Sequence, residues 1–221
     1  MYALSLTSIP PRFARLAPVL TALLAQRPRA IEVFLTLPRH YIRFPGPVTP
    51  PDLPKGVTLL WHNTDLGPAT KALPAARHLA GTGLRLVYCD DDWIYPPHWA
   101  QSLLKQNDVA VTGQAWDSAR LGRKGTGVDD AQGFPGVSVC PNWLAGSDTY
   151  PPKHAIAADD IWLSGQLARQ NIALRTAPEA RNGMILAFND DHALQDATLR
   201  NTANRVCAAE IHARYGIWPP A

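Results

Sequence analysis

Sulfur is scarce in this 221-residue chain, which has three cysteines and two methionines. Cys89, Cys140 and Cys207 are an odd, widely spaced set without a CxxC pair. That fits no zinc site and points to reduced thiols in a cytosol-like compartment. Charge is also modest: 18% of residues are charged and 46% hydrophobic, the make-up of an ordinary folded domain rather than a disordered chain. No apolar run approaches the roughly 20 residues of a transmembrane helix. The opening MYALSLTSIPPRF has neither the basic start nor the apolar stretch of a secretory signal. The expectation is a cytoplasmic protein whose membrane contact, if any, is peripheral, at the inner face. There are no internal repeats and no low-complexity tail. No basic run is interleaved with aromatics, and zinc-finger and RNP patterns are missing, which argues against nucleic acid as a partner.

What charge there is lies unevenly. Residues 1–88 hold ten Lys/Arg against three Asp/Glu, a net of +7, and the remainder carries −4. A basic first part suits an anionic small ligand or an anionic membrane surface. Equally, Arg12, Arg15, Arg27 and Arg29 read as the polar coat of one helix and its exit.

Periodicity gives a coarse plan. Residues 2–7 (YALSLT), 30–37 (AIEVFLTL), 57–61 (VTLLW), 84–89 (LRLVYC) and 109–113 (VAVTG) are apolar runs of strand length. Residues 10–26 place Phe13, Leu16, Leu20, Leu23 and Leu24 on one helical stripe, with Pro10 and Pro11 in the first turn. Further helices are predicted from after NTDLGPATK to about Ala80, and over 97–107, 159–170 and about 193–215. The segment 38–56 is so rich in proline that it reads as an extended loop, and 118–136 as a mobile one. This alternation predicts an α/β fold in a single domain, with a mainly parallel sheet and helices on both faces. The 221 residues suffice for one such core.

The stretch RLVYCDDDWIYPP (85–97) delivers three carboxylates to the end of an apolar strand. Neighbouring carboxylates repel by roughly 4 kcal/mol at about 4 Å and an effective dielectric near 20, and by about 1 in open water. Either the triplet is fully solvated or a cation gathers it. In an extended chain Asp90 and Asp92 point one way and Asp91 the other, and two hard oxygen donors on one side suit Mg2+ or Mn2+. A helix cap is poorly placed, because the next helix starts only at about Pro97.

The run YCDDDWIYP resembles the D-x-D signature of GT-A-fold, metal-dependent glycosyltransferases, and other segments follow in matching order. SLTSIPPRF resembles the first strand and turn lining the nucleotide pocket, and NTDLGPATK (63–71) resembles a donor-site segment of small bacterial transferases related to family 2. The acidic pair in AADDIWLSGQLARQ resembles the acceptor-side carboxylates, and FNDDHALQD (188–196) offers a late histidine. The resemblance implies a GT-A-like, Rossmann-type domain, with a nucleotide-sugar-binding half over 1–115 and an acceptor-binding half over 116–221. It implies Mn2+ or Mg2+ held by Asp90, Asp92 and His192. It also implies donor contacts from Thr7, Arg12, Asp65, Lys71 and Asp91, and catalytic roles for Asp160, as general base, and Asp159. The implied donor is a UDP- or GDP-linked sugar, the acceptor a glycan or a lipid-linked one, and the setting polysaccharide biosynthesis. Three residues keep plainer readings: Lys71 as an exposed first-turn lysine, and Asp159 and Asp160 as helix-capping carboxylates.

Two other classes compete. A haloacid dehalogenase-like phosphatase or phosphotransferase would use Asp90 as nucleophile and Asp92 as acid/base. That motif asks for Thr or Val two residues after the second aspartate, where Ile94 stands, and it usually follows the first strand. A sugar- or cation-binding module without turnover is the second.

Overall fold

The computed structural model describes residues 1–188 and 197–221. The strands are β1 (Tyr2–Leu6), β2 (Glu32–Pro38), β3 (Val57–His62), β4 (Arg85–Cys89), β5 (Trp93–Ile94), β6 (Ala110–Thr112), β7 (Ala115–Trp116), β8 (Asp130–Ala131), β9 (Val137–Val139), β10 (Leu174–Thr176) and β11 (Ile185–Leu186). The α-helices are α1 (Ala17–Leu24), α2 (Leu73–Leu79), α3 (Trp99–Leu103), α4 (Asp159–Ala168) and α5 (Ala197–Tyr215).

Seven strands form the central sheet in the order β10-β6-β9-β4-β1-β2-β3. All run parallel except β9, which is antiparallel to both β4 and β6. Side chains alternate across the sheet, as strand geometry requires. Tyr2, Leu4 and Leu6 face Val19, Leu20 and Leu23 of α1 and Trp99 and Leu103 of α3. Ala3, Phe34 and Tyr88 face the other way, onto Leu73, Ala76 and Leu79 of α2 and Leu163 and Leu167 of α4. Helices therefore cover both faces of one α/β sheet, and strands from both halves of the chain build it. The outer side of α4, through Ile161 and Trp162, buries Cys207, Ala208 and Ile211 of α5.

Three expectations change in detail. The stripe over 10–26 divides into a 3-10 helix, Pro10–Arg15, and α1. Pro18 has no N–H to offer the carbonyl of Ala14, so a continuous α-helix cannot pass that point. Residues 97–107 yield only the five-residue α3. The segment 118–136, expected as a mobile loop, carries a 3-10 helix at Ser118–Leu121 and β8, and Asp129, Asp130, Ala131 and Gln132 are buried. The 3-10 helix is capped by the side chain of Asp117, which accepts from the backbone N–H of Ala119, and ends at Gly122 in the left-handed conformation that glycine adopts without penalty. No helix among the described residues is long and apolar enough to cross a membrane.

Candidate active site

A cleft of about 420 Å³ opens beyond the carboxyl ends of β1, β2 and β4, where ligands bind in open α/β sheets. Thr7, Arg12, Asp65, Lys71, Asp90, Asp91, Asp92, Asp159 and Asp160 all line it. Nine of the ten residues named from the sequence thus converge on one place. The tenth, His192, lies outside the described residues.

The triplet is fixed on both sides. The fully buried Tyr95 donates its hydroxyl to the carbonyls of Asp90 (2.9 Å) and Phe134 (3.0 Å). The carbonyl of Asp92 accepts from the backbone N–H of Ala187 at 2.7 Å, and β5 pairs antiparallel with β11. The three carboxylates then take separate environments, as alternation predicts. Asp91 is 3% exposed, with Ser8 donating to Oδ2 and Arg12 to Oδ1, each at 2.5 Å. Named from the sequence as a donor contact, it lines the cleft and holds Arg12 in place. Burial raises its pKa, against the lowering effect of Arg12 and of the Ser8 hydrogen bond.

Asp92 is the carboxylate left over. Its Oδ1 is buried with no hydrogen-bond partner among the described residues. Burial first, then the charges of Asp90 and Asp91, push its pKa up to about 7. An acidic oxygen buried beside two others and lacking a donor is destabilised as an anion unless a cation reaches it. The donor set therefore fits a hard divalent cation at Asp90 and Asp92, both oxygen ligands on the cleft side.

Lys71 ends the 3-10 helix Gly67–Lys71 and is 2% exposed, so it is not the exposed lysine of the plainer reading. Its Nζ lies 2.5 Å from Asp90 Oδ1, 2.8 Å from Asp159 Oδ2 and 3.8 Å from Asp160 Oδ1. Burial alone would disfavour the ammonium, but Asp159, Asp90 and Asp160 together keep its pKa well above the ordinary lysine value. One buried cation thus bridges the strand-end triplet and the helix-start pair.

Asp159 and Asp160 stand in the first turn of α4, after its N-cap Ala158, so neither is the capping residue, although the helix dipole favours a negative charge at both. Asp160 Oδ1 accepts from the backbone N–H of Gly133 at 3.0 Å, and Arg200 of α5 stands 4.0 Å from Oδ2. Burial, then the charge of Asp159, raise the Asp160 pKa well above the usual carboxylate range, with Lys71 opposing. Gly133 matters because a Cβ there would meet Lys71 Nζ and, at 3.0 Å, Asp160 Oδ1.

Asp65, named from the sequence as a donor contact, also ties two loops: its carboxylate accepts from the backbone N–H groups of Ile42 (2.7 Å) and Gly67 (2.8 Å). That clamp brings Tyr41, Ile42, Arg43 and Phe44 from the proline-rich segment to the cleft wall. Sequence reasoning missed these four, and also Gly133, Lys153 and Arg200. The aromatic and basic cluster YIRF was the only signal for the first group, and Arg200 gave none. No family model matches the chain, and no significantly similar curated protein was found.

Proposed function

We propose that this chain is a metal-dependent glycosyltransferase of GT-A type, moving a sugar from a nucleoside diphosphate to an acceptor hydroxyl. The observation that carries the reading is a division of labour among carboxylates in one cleft. Asp92 presents a buried oxygen with no hydrogen-bond partner among the described residues beside the part-exposed Asp90, while Asp159 and Asp160 stand apart on α4 with Lys71 between the pairs. A divalent cation, Mn2+ or Mg2+, held by Asp90 and Asp92 would supply Lewis-acid neutralisation of the departing diphosphate.

The chain's own residues account for the rest. Arg43, Lys153 and Arg200 line the same cleft and give it positive charge for a polyphosphate. Tyr41, Ile42 and Phe44 offer apolar surface to the base. Asp160, whose pKa burial and the charge of Asp159 raise above the usual carboxylate range, takes the proton of the attacking hydroxyl in an inverting transfer. Its carboxylate also steadies an oxocarbenium-like sugar.

The Lys71–Asp90 pair favours a second reading, phosphoryl transfer with Asp90 as nucleophile, since an ammonium there would steady a transferring phosphoryl group. One experiment separates the two. Thermal unfolding is followed with Mn2+ and a panel of nucleoside diphosphates, beside the Asp90→Ala/Asp92→Ala double variant. The expected result is a shift that needs both metal and one nucleotide and vanishes in the variant. A ligand at a hundredfold excess over its dissociation constant adds roughly 2.7 kcal/mol. No shift with any nucleotide, together with metal-dependent hydrolysis of p-nitrophenyl phosphate, would replace this reading by the phosphatase one.

A further inference from the structure

Lys71 occupies the place of a cation rather than that of a phosphate contact. Three facts define its position. Its Nζ is in ion-pair contact with Asp90 at 2.5 Å and Asp159 at 2.8 Å, so it is already shared between two sites. Both line the cleft, but the Lys71 side chain is 3% exposed and that of Asp90 35%, so Asp90 is the more accessible of the two. Asp92 holds a buried oxygen without a donor among the described residues, and the ammonium does not serve it. Three carboxylates, Asp90, Asp159 and Asp160, lie within 4.0 Å of Lys71 Nζ, and among them Arg200 reaches only Asp160.

We propose that Lys71 is an exchangeable counter-ion, standing in for the divalent cation at Asp90 until metal binds and then retreating onto Asp159 and Asp160. This rests on the metal reading of Asp90 and Asp92 and adds a positioning role for Lys71. No charge is stranded in the exchange: the divalent cation takes over Asp90, and the ammonium keeps a carboxylate partner throughout. It is short in reach, because Asp159 already holds Nζ. It also joins the two ends of the site, since loading the donor side strengthens the hold of Lys71 on the acceptor-side pair. Gly133 leaves the space the ammonium needs at that end.

The test is the affinity for Mn2+ alone, read from the electron paramagnetic resonance signal of free ion, in the wild type and in Lys71→Met. A displaced competitor predicts about tenfold tighter binding in the variant, equal to about one charge pair of 1.4 kcal/mol. It also predicts a lower melting temperature for the metal-free variant, restored by Mn2+ to a greater extent than in the wild type. Equal or weaker binding in Lys71→Met, with the wild type binding Mn2+, would overturn the exchange while leaving the metal site standing. Binding in neither protein would overturn both. Should the variant fail to fold, a crystal structure of the wild type with Mn2+ decides: Nζ must have left Asp90 for Asp159 and Asp160, and an ammonium still on Asp90 Oδ1 refutes the proposal.

Discussion

Asp92 is where burial, charge and chemistry meet at the scale of a single side chain, and its pKa carries a pH dependence of definite sign. The folded protein holds its proton to about 7, against 3.8 for the ordinary carboxyl. The stability gained from that proton is complete below about pH 4 and is lost as the pH rises through 7. The metal-free protein should therefore melt at a lower temperature at pH 8 than at pH 5. Asp92→Asn should flatten part of that slope in differential scanning calorimetry. Asp130, pushed up to about 6 chiefly by burial, and Asp160 act in the same direction, so a residual slope remains. Mn2+ should raise the melting temperature more at pH 8 than at pH 5, because the ion needs the carboxylate form. A flat profile in the wild type would remove Asp92 from the ion's neighbourhood.

Among the elements, the loop between β8 and β9 has little slack where it passes the site. Gly133→Ala puts a methyl group against Lys71 Nζ and Asp160 Oδ1. Overpacking of this kind costs about 1–3 kcal/mol, measurable by urea unfolding, and the Mn2+-dependent nucleotide shift should shrink with it. An unchanged shift would mean that the Lys71 bridge tolerates displacement. This glycine also marks the limit of what the sequence conveys. β1 to β4 were legible because each is an apolar run of five to seven residues. β9 and β10 have three residues each, too few for a period to show, and β9 runs against its neighbours, which local pattern does not encode. The acidic residues were legible by their order along the chain. The Lys71 contacts were not, because ion pairs spanning 19 residues to Asp90, and far more to Asp159, leave no trace in spacing. Asp65 was placed in the cleft, but its role in tying two loops was not legible, since an Asx-type loop clamp and a ligand contact use the same side chain.

The molecule as a whole sets the field in which the site works. The basic excess of residues 1–88 is partly spent inside the cleft, where Arg12 and Lys71 meet the acidic residues of the second part. Arg43, Lys153 and Arg200 extend positive charge along the walls. A nucleoside diphosphate should accordingly bind several-fold more weakly when NaCl rises from about 0.05 to about 0.5 M, since the screening length falls from roughly 14 to roughly 4 Å. Isothermal titration at the two salt concentrations checks this. Affinity indifferent to salt would shift the weight of recognition to Tyr41, Ile42 and Phe44. The parallel sheet and its two-sided helical cover support this arrangement by bringing the ends of β1, β2 and β4 to one rim.

The reversed direction of β9 has one more consequence. Because it runs against β4 and β6, the chain between β6 and β9 departs from and returns to the same rim. The two ends of that excursion are stitched together by Gly113 N–H donating to the carbonyl of Gly136 at 3.2 Å, and β7 and β8 zip its stem. Its tip, residues 117–129, is tied elsewhere by the bridge of Arg123 to Pro220 and the bond from Lys124 N–H to the Pro219 carbonyl. A stem closed in this way makes the tip a cassette. Each doubling of its length adds only about 0.6 kcal/mol of closure entropy, so new tips can be grafted onto the stem while Asp90, Asp92 and Asp160 stay where they are.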